Sequence, residues 1–423
     1  MTEGLTMTEL ADIVSARTQT LNEYFQKTGS PQPSFASNGP LDIIPDDDLG
    51  LQRVRAELVD ASRRIADLAA GNVRLSTENF VFGQYNAAVL RFVYRFNVPK
   101  HVPLEGSISF HDLAQTTGAD VNILRRFVRY AYTIRLFRES SPDKVSHSNA
   151  SHLLATQPNA WDALGHTTED MFPGLPFIAE CQEKWPGSVR PTETPLHLAF
   201  PHEISKDQTY FDWFAAHPQR AIRFGGTMNF LSLGGGFIND SQTTNNFDWT
   251  SLGAAQVVDI GGSRGHVSIA ILRHAPQLTS IVQDRPEVVS QMEGKIPKDL
   301  TGRLTFEVAN FFEPQPIKTA DVYFFRRIFH DWSDDDSSRI IKNLVPSMKS
   351  GSRLVISEFV VKPPGQESMF EEKMTRCFDL QMLVALNGKE RTLQDWKDVV
   401  ELGSGGQLKF ELCQGDLIAF KKK

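Results

Sequence analysis

"VVDIGGSRGHVSIAIL" (Val257–Leu272) is the stretch on which the fold turns. A run of apolar β-formers ends in an acid and paired glycines, and an apolar helical pattern follows. Strand, glycine turn and helix start are the grammar of a ligand-binding α/β unit, because glycines let a ligand reach the backbone and the helix start adds N–H donors. The spacing is Asp259-x-Gly261-Gly262-x-x-Gly265. A dinucleotide fingerprint needs G-x-G-x-x-G, and Ser263 stands where its second glycine belongs. An acid at the strand end suits a ligand carrying an ammonium or sulfonium charge better than a pyrophosphate.

Outward from this loop the same grammar repeats. "TSIVQDRP", "RLTFEVANFFEP", "ADVYFFRRIFHDW" and "SRLVISEFVV" read as strands, with helical segments such as "DDDSSRIIKNLVPSMKSG" between them. Continuously apolar strands alternating with helices predict a mainly parallel sheet covered on both faces. Asp284 closes the second strand, where an acid accepts from ribose hydroxyls in nicotinamide and S-adenosylmethionine sites alike; the bland alternative is a helix cap. His330 stands at the end of the fourth strand of the series, and ligands in open α/β sheets bind at the carboxyl ends of strands. Histidine is the natural base near neutral pH. "SDDD" after it suffices to cap the next helix, which leaves the imidazole free. Glu358 ends the adjacent strand and Glu390 lies in "GKERT"; either suits an imidazole that needs an orienting partner.

The N-terminal half is different. Helical periodicity runs over "MTELADIVSARTQTLNEYFQKTG" and again over "LGLQRVRAELVDASRRIADLAAG", where Gly71 is read as the stop. Residues 105–155 give a short helix, a Thr-Thr-Gly turn, a longer helix and a hairpin, the pattern of a winged helix-turn-helix. Its second helix carries Arg125, Arg126, Arg129 and Arg135, so DNA binding is weighed. Lys+Arg of 44 against Asp+Glu of 51 leaves a formal charge of −7 and favours a structural role for the stripe. The 3 cysteines show no metal or redox spacing, and no metal is expected. No apolar run reaches the roughly 18 residues of a membrane span, and the N-terminus lacks a signal-peptide pattern, so a soluble cytoplasmic protein is expected.

Taken in order, D-x-G-G-x-x-G, "QDRP", "NFFEP" and "RRIFHDWSDDD" resemble the class I S-adenosylmethionine-dependent O-methyltransferases of the caffeic acid and hydroxyindole type, closest in texture to fungal secondary-metabolite members. The likeness covers nearly the whole chain, and the motifs are specific as a set rather than singly. It implies a Rossmann-like doubly wound C-terminal domain (200–423) and a mostly helical N-terminal dimerisation domain (1–185) with a winged helix at about 80–155. It implies S-adenosylmethionine cradled by Gly261, Gly262 and Gly265, with Asp259 near its amino group and Asp284 on the ribose. Asn310 and Phe311 take the adenine; Asn310 departs from the family's acid, keeping an acceptor but losing its charge. Arg326 matches a basic residue on the cofactor side, with Arg327 adjacent and Trp332 against the cofactor or in the core. His330 is the implied base, flanked by Glu358 and Glu390, with Asp331 near the acceptor and Met382 lining its pocket. Partners implied are a small hydroxylated acceptor and a second copy of the chain, with neither nucleic acid nor membrane. Three other readings stay open at this stage: methylation of a carboxylate, which needs no base; a nicotinamide-dependent oxidoreductase; and a winged-helix DNA-binding protein that has lost chemistry.

Overall fold

A computed structural model describes residues 4–41, 43–45, 48–231, 240–292 and 294–423. The chain forms two compact units, each assembled from separate segments: Met1–Phe177, Phe211–Ile238 and Gly365–Glu371 in one, Ile178–Tyr210, Asn239–Pro364 and Glu372–Lys423 in the other. The segments of the two units alternate along the sequence. Of the aromatic-rich stretch "TYFDWFAAHPQRAIRFGGTMNFLSLGGG" (209–236), residues 232–236 lie outside the described residues.

The first unit opens with α1 (Met7–Thr28), started by a Thr6/Glu9 capping box and ended by left-handed Gly29. Helix α2 (Leu49–Thr77) passes through Gly71, which leaves helical geometry (φ 71°, ψ 164°). The span is therefore two helices meeting at a kink: the first ends at Gly71, as the sequence predicts, and the second runs into a π-helical turn, Glu78–Phe82. Then come α3 (Gly83–Arg95), β1 (Ile108–Ser109), α4 (Phe110–Thr117), α5 (Val121–Thr133) and a hairpin of β2 (Arg138–Ser141) and β3 (Lys144–Ser146). Ser109 and Asp120 cap α4 and α5, and Gly118 makes the left-handed turn between them. Phe110, Leu113, Leu124, Val128 and Val145 form a shared core, and the three strands pair in the order β1-β3-β2. Arg125 pairs with Asp143, and Arg129 with Glu139 and Asp143. These charges are neutralised locally by the hairpin's own acids. Arg135 lies beyond the helix at φ 64°.

The second unit is built on a seven-stranded sheet in the order β11-β12-β8-β7-β4-β5-β6. Its strands are β4 (Gln256–Ile260), β5 (Thr279–Asp284), β6 (Leu304–Val308), β7 (Val322–Arg326), β8 (Arg353–Ser357), β11 (Leu408–Gln414) and β12 (Leu417–Lys422). The first five run parallel; β12 pairs antiparallel to β8. A separate parallel pair joins β9 (Val360–Val361) to β10 (Arg391–Thr392). Helices α6 (His266–His274), α7 (Asp334–Leu344), α8 (Met369–Leu386) and α9 (Leu393–Ser404) complete the parts that matter below.

The apolar runs are explained by burial on both faces. Val258, Tyr323, Phe325, Leu354 and Ile356 pack with α7 and α9 residues such as Ile341 and Trp396. Val257, Phe324 and Val355 turn the other way, onto α6 residues Ile271 and Leu272. Side chains alternate along a strand, so a strand covered twice must be apolar throughout. Register then aligns the carboxyl ends: Ile260 stands opposite Gln283 and Phe325, and Arg326 opposite Ser357. No described helix is long and apolar enough to cross a membrane.

Candidate active site

The glycine loop leaves β4 directly beneath α6. Gly261 adopts φ 74°, and a Cβ there would lie 2.4 Å from the Ile328 side chain. A Cβ on Gly262 would lie 2.6 Å from the Asp259 carboxyl group, and one on Gly265 (φ 70°) 3.0 Å from Phe306. The loop is therefore closed underneath by Ile328, Asp259 and Phe306, and glycine is required by contact as well as by torsion. Its backbone is pinned to the next strand, with Gly261 N–H donating to the Gln283 carbonyl at 2.8 Å. Ser263 N–H and Arg285 N–H each donate to the Asp284 carboxylate at 2.8 Å. Two donors fix Asp284 at the strand tip and leave acceptor capacity on both oxygens.

Asp259 is buried and accepts from Ser268 Oγ at 2.7 Å. Burial drives its carboxyl up to about 6, against the Ser268 hydrogen bond and the Arg326 charge, while Asp284 adds to the rise. An ammonium group placed by this loop meets the buried Asp259 carboxyl group. Arg326 and Arg327 diverge. The Arg326 guanidinium lies 3.5 Å from His266 Nε2, on the loop side. Arg327, held at φ 55°, sits 3.5 Å over the Phe359 ring and 3.6 Å from Asp416. Asn310 is exposed, and its Oδ1 accepts from Phe312 N–H at 3.0 Å, keeping one lone pair for another donor. Phe311 and Phe312 meet Trp332 edge-on, at 6.0 and 4.6 Å between ring centres. Trp332 thus belongs to an aromatic cluster against the sheet core. The residues present fit S-adenosylmethionine: a backbone cradle, an acid for its positive charge, an anchored ribose acceptor and a flat aromatic neighbour.

Past β7 the chain does not continue as strand. Phe329–Asp331 form one 3₁₀ turn, so His330 projects from a turn at the sheet's carboxyl edge. The Ser333 side chain caps α7 by accepting from Asp336 N–H at 3.1 Å, with three acids in the first turn. His330 Nδ1 lies 2.8 Å from Glu390 Oε1 and 3.7 Å from Glu358 Oε2. Its Nε2 lies 3.5 Å from Asp331 Oδ1. Glu358 hangs from the end of β8, and its Oε1 accepts from Ile328 N–H (2.8 Å) and Phe329 N–H (2.9 Å). The far oxygens, Glu358 Oε2 and Glu390 Oε2, are buried and accept no hydrogen bond among the described residues.

Electrostatics follow from this packing. Burial alone would push the His330 imidazole down, but Glu358, Glu390 and Asp331 together hold it up at about 10. Asp331 is raised to about 7, by burial first and by the two glutamates, with His330 opposing. Glu358 is raised by burial, again against His330. Met382 is half-buried on α8, and its carbonyl accepts from Gly388 N–H at 3.3 Å, which ties that helix to the Glu390 loop.

Sequence reasoning missed two neighbours. Asp379 accepts from Glu390 N–H at 2.9 Å. Arg391, fully buried, donates to the Phe329 and Trp332 carbonyls at 2.8 Å each. The "GKERT" motif was in view, but nothing local distinguishes a buried arginine from an exposed one.

Comparison with known proteins bears on this geometry. Residues 237–405 match the O-methyltransferase domain family. O-methyltransferase aoiF of Aspergillus oryzae is 35% identical over 399 residues, 93% of each chain. O-methyltransferase VdtC of Byssochlamys spectabilis is 33% identical over 412 residues, covering 95% of this chain and 94% of its own. The solved structure of LepI in complex with SAM superposes with a TM-score of 0.72 at 25% identity, over 98% of this chain and 100% of that one. The nicotinamide alternative is thereby set aside, as the failed glycine spacing already suggested. The chain belongs to the class I S-adenosylmethionine-dependent O-methyltransferases, among relatives from fungal secondary metabolism.

Proposed function

We propose that the enzyme methylates a hydroxyl group of a small aromatic or polyketide-type secondary metabolite, with His330 as general base. The observation that carries this reading is the Glu390–His330 contact. With Nδ1 committed to a buried carboxylate, the tautomer is fixed and Nε2 is the nitrogen left for an acceptor. A phenol ionises at about 10, so a base beside it matters. Bound S-adenosylmethionine supplies an electrophilic methyl on a positively charged sulfur. Gly261, Gly262, Asp259, Asp284, Asn310, Phe311 and Arg326 would hold it. The chain's own part is to orient the acceptor, take its proton at His330 Nε2, and stabilise the imidazolium through Glu390 and Glu358. His330 is protonated at neutral pH in the ligand-free protein; a positive charge brought into the site lowers its pKa and readies the base.

Carboxylate methylation is the weaker reading. Glu358, Glu390 and Asp331 crowd the base, and an anionic acceptor there meets like charge. His330→Ala tests the choice: turnover of hydroxylated acceptors should vanish while cofactor binding persists. Undiminished turnover of a phenolic acceptor would remove His330 from the reaction. A screen of phenolic, polyketide and carboxylic acid acceptors with methyl-labelled cofactor reads the substrate class directly.

Residues 105–155 are proposed as a winged-helix module within a dimerisation region. Support comes from the helix–turn–helix–hairpin order and from the exposed apolar row Leu68, Val73, Phe80, Val81 and Phe82, which a second copy would cover. The three cysteines are unpaired, in keeping with a reducing cytoplasm.

A further inference from the structure

We propose that Arg391 is a positioning residue for the base, and that Asn387–Arg391 acts as a clamp that sets where the His330 imidazole stands. This rests on His330 being the base. The observation is the way one short segment grips the turn on both sides of the histidine. Arg391 Nη1 donates to the Phe329 carbonyl and Nη2 to the Trp332 carbonyl, both at 2.8 Å. These carbonyls bracket His330 in sequence. A further bond from Nη2 reaches Ser337 Oγ at 3.1 Å, on the first turns of α7. Lys389 N–H donates to the carbonyl of His330 itself at 3.0 Å. Gly388 passes so close that a Cβ there would lie 2.0 Å from the His330 carbonyl oxygen. Glu390, between these contacts, supplies the carboxylate on Nδ1.

The clamp is itself anchored. Asn387 Nδ2 donates to the Arg190 and Glu193 carbonyls at 2.8 and 2.9 Å. Strand β10 pairs parallel with β9, placing Arg391 opposite Val360, two residues beyond Glu358. The segment that carries one glutamate is thus registered against the segment that carries the other. A wholly buried guanidinium is otherwise difficult to account for, since burying a charge is costly unless its donors are used. Here the planar fork spans two carbonyls and a hydroxyl, a task that the three donors of an ammonium do not reproduce. Asp334, 44% exposed, accepts from Arg391 Nε at 2.9 Å and pairs with Lys389 Nζ at 2.6 Å, so it ties two residues of the clamp to α7.

Arg391→Lys is the test, with Arg353→Lys as control, since Arg353 pairs with Glu411 on another part of the sheet. In Arg391→Lys, kcat should fall by about 100-fold, the cost of a small misplacement of a reacting group. The KM for S-adenosylmethionine should stay unchanged, because the glycine loop is untouched. The acidic limb of the kcat–pH profile should move to lower pH as the Glu390–imidazole contact loosens. Arg353→Lys should keep both kcat and profile. Wild-type kcat and pH profile in Arg391→Lys would overturn the proposal, as would equal losses in the two variants. Should Arg391→Lys fail to fold, seen as lost cofactor binding, Gly388→Ala decides by the same readouts, since its added methyl pushes the clamp off the His330 carbonyl. Undiminished turnover in His330→Ala would instead refute the base assignment. A dead His330→Ala with an unimpaired Arg391→Lys would refute only the clamp.

Discussion

Replacing Glu390 by glutamine removes a charge from the base while keeping an acceptor in place. The amide oxygen still receives the Nδ1 proton, so ring orientation and tautomer survive, and only the electrostatic term changes. That term is large because His330 Nδ1 lies 2.8 Å from a buried carboxylate. A hydrogen bond to a charged group contributes about 1.5–3 kcal/mol. At 1.36 kcal/mol per pKa unit this lowers the imidazole pKa by about 1–2 units from its raised position near 10. The base works deprotonated, so the acidic limb of kcat moves to lower pH by the same amount. The plateau falls roughly tenfold, because a weaker base drives proton transfer less. Stability carries the matching sign. A histidine whose folded pKa is raised stabilises below its ordinary pKa of about 6.5 and loses that contribution as pH rises towards 10. The melting penalty of Glu390→Gln should therefore be largest below about pH 6.5 and shrink through the alkaline range. Transfer of labelled methyl across the pH range, with melting curves on the same samples, gives both. A limb that stays put while the plateau falls would show that Glu390 acts by packing alone, and the electrostatic account would fail.

Other expectations follow from the same geometry. Gly261→Ala sets a methyl against Ile328 at a left-handed position and should weaken S-adenosylmethionine binding at least tenfold by calorimetry, with His330 and its partners unaltered; unchanged affinity would mean that the cofactor does not use this loop. Asp259→Asn should raise the melting temperature of the ligand-free protein by a few degrees at neutral pH while lowering cofactor affinity. A buried carboxyl raised to about 6 loses about 3 kcal/mol of stability as pH rises from about 4 to 6, so the gain should disappear near pH 4. Light scattering should give about twice the chain mass of 47.4 kDa, with Phe80→Glu shifting the population to monomer; a wild-type monomer at micromolar concentration contradicts the dimer.

The parts legible in the sequence are those whose physics is local. Strands covered on both faces are apolar at every residue, which is why β4, β7 and β8 were readable without coordinates. The glycine loop was readable because torsion and close approach admit little else. What escaped depends on partners far along the chain. Residues 408–422 read locally as a hairpin, with alternating "LKFEL", a turn at Gly415 and apolar "LIAF", but nothing local says that β12 joins the sheet beside β8. Arg391 is buried only because carbonyls from 329 and 332 reach it. Gly71 ends its helix as read, but that a second helix starts directly after it was not marked by any local cap signal. Which of two neighbouring arginines faced the loop was undecidable until the backbone at Arg327 turned left-handed and sent it to Phe359.

The hydrogen bond from Glu358 N–H to the Asp416 carbonyl, at 2.8 Å, has a consequence for which half of the sheet each task leans on. Asp416 lies in the tight link between β11 and β12, so the glutamate beside the proposed base takes its backbone support from the antiparallel side of the sheet. The cradle of Gly261, Asp259 and Asp284 draws on the parallel pair β4 and β5. Damage to the hairpin link should therefore fall on turnover before it falls on cofactor affinity.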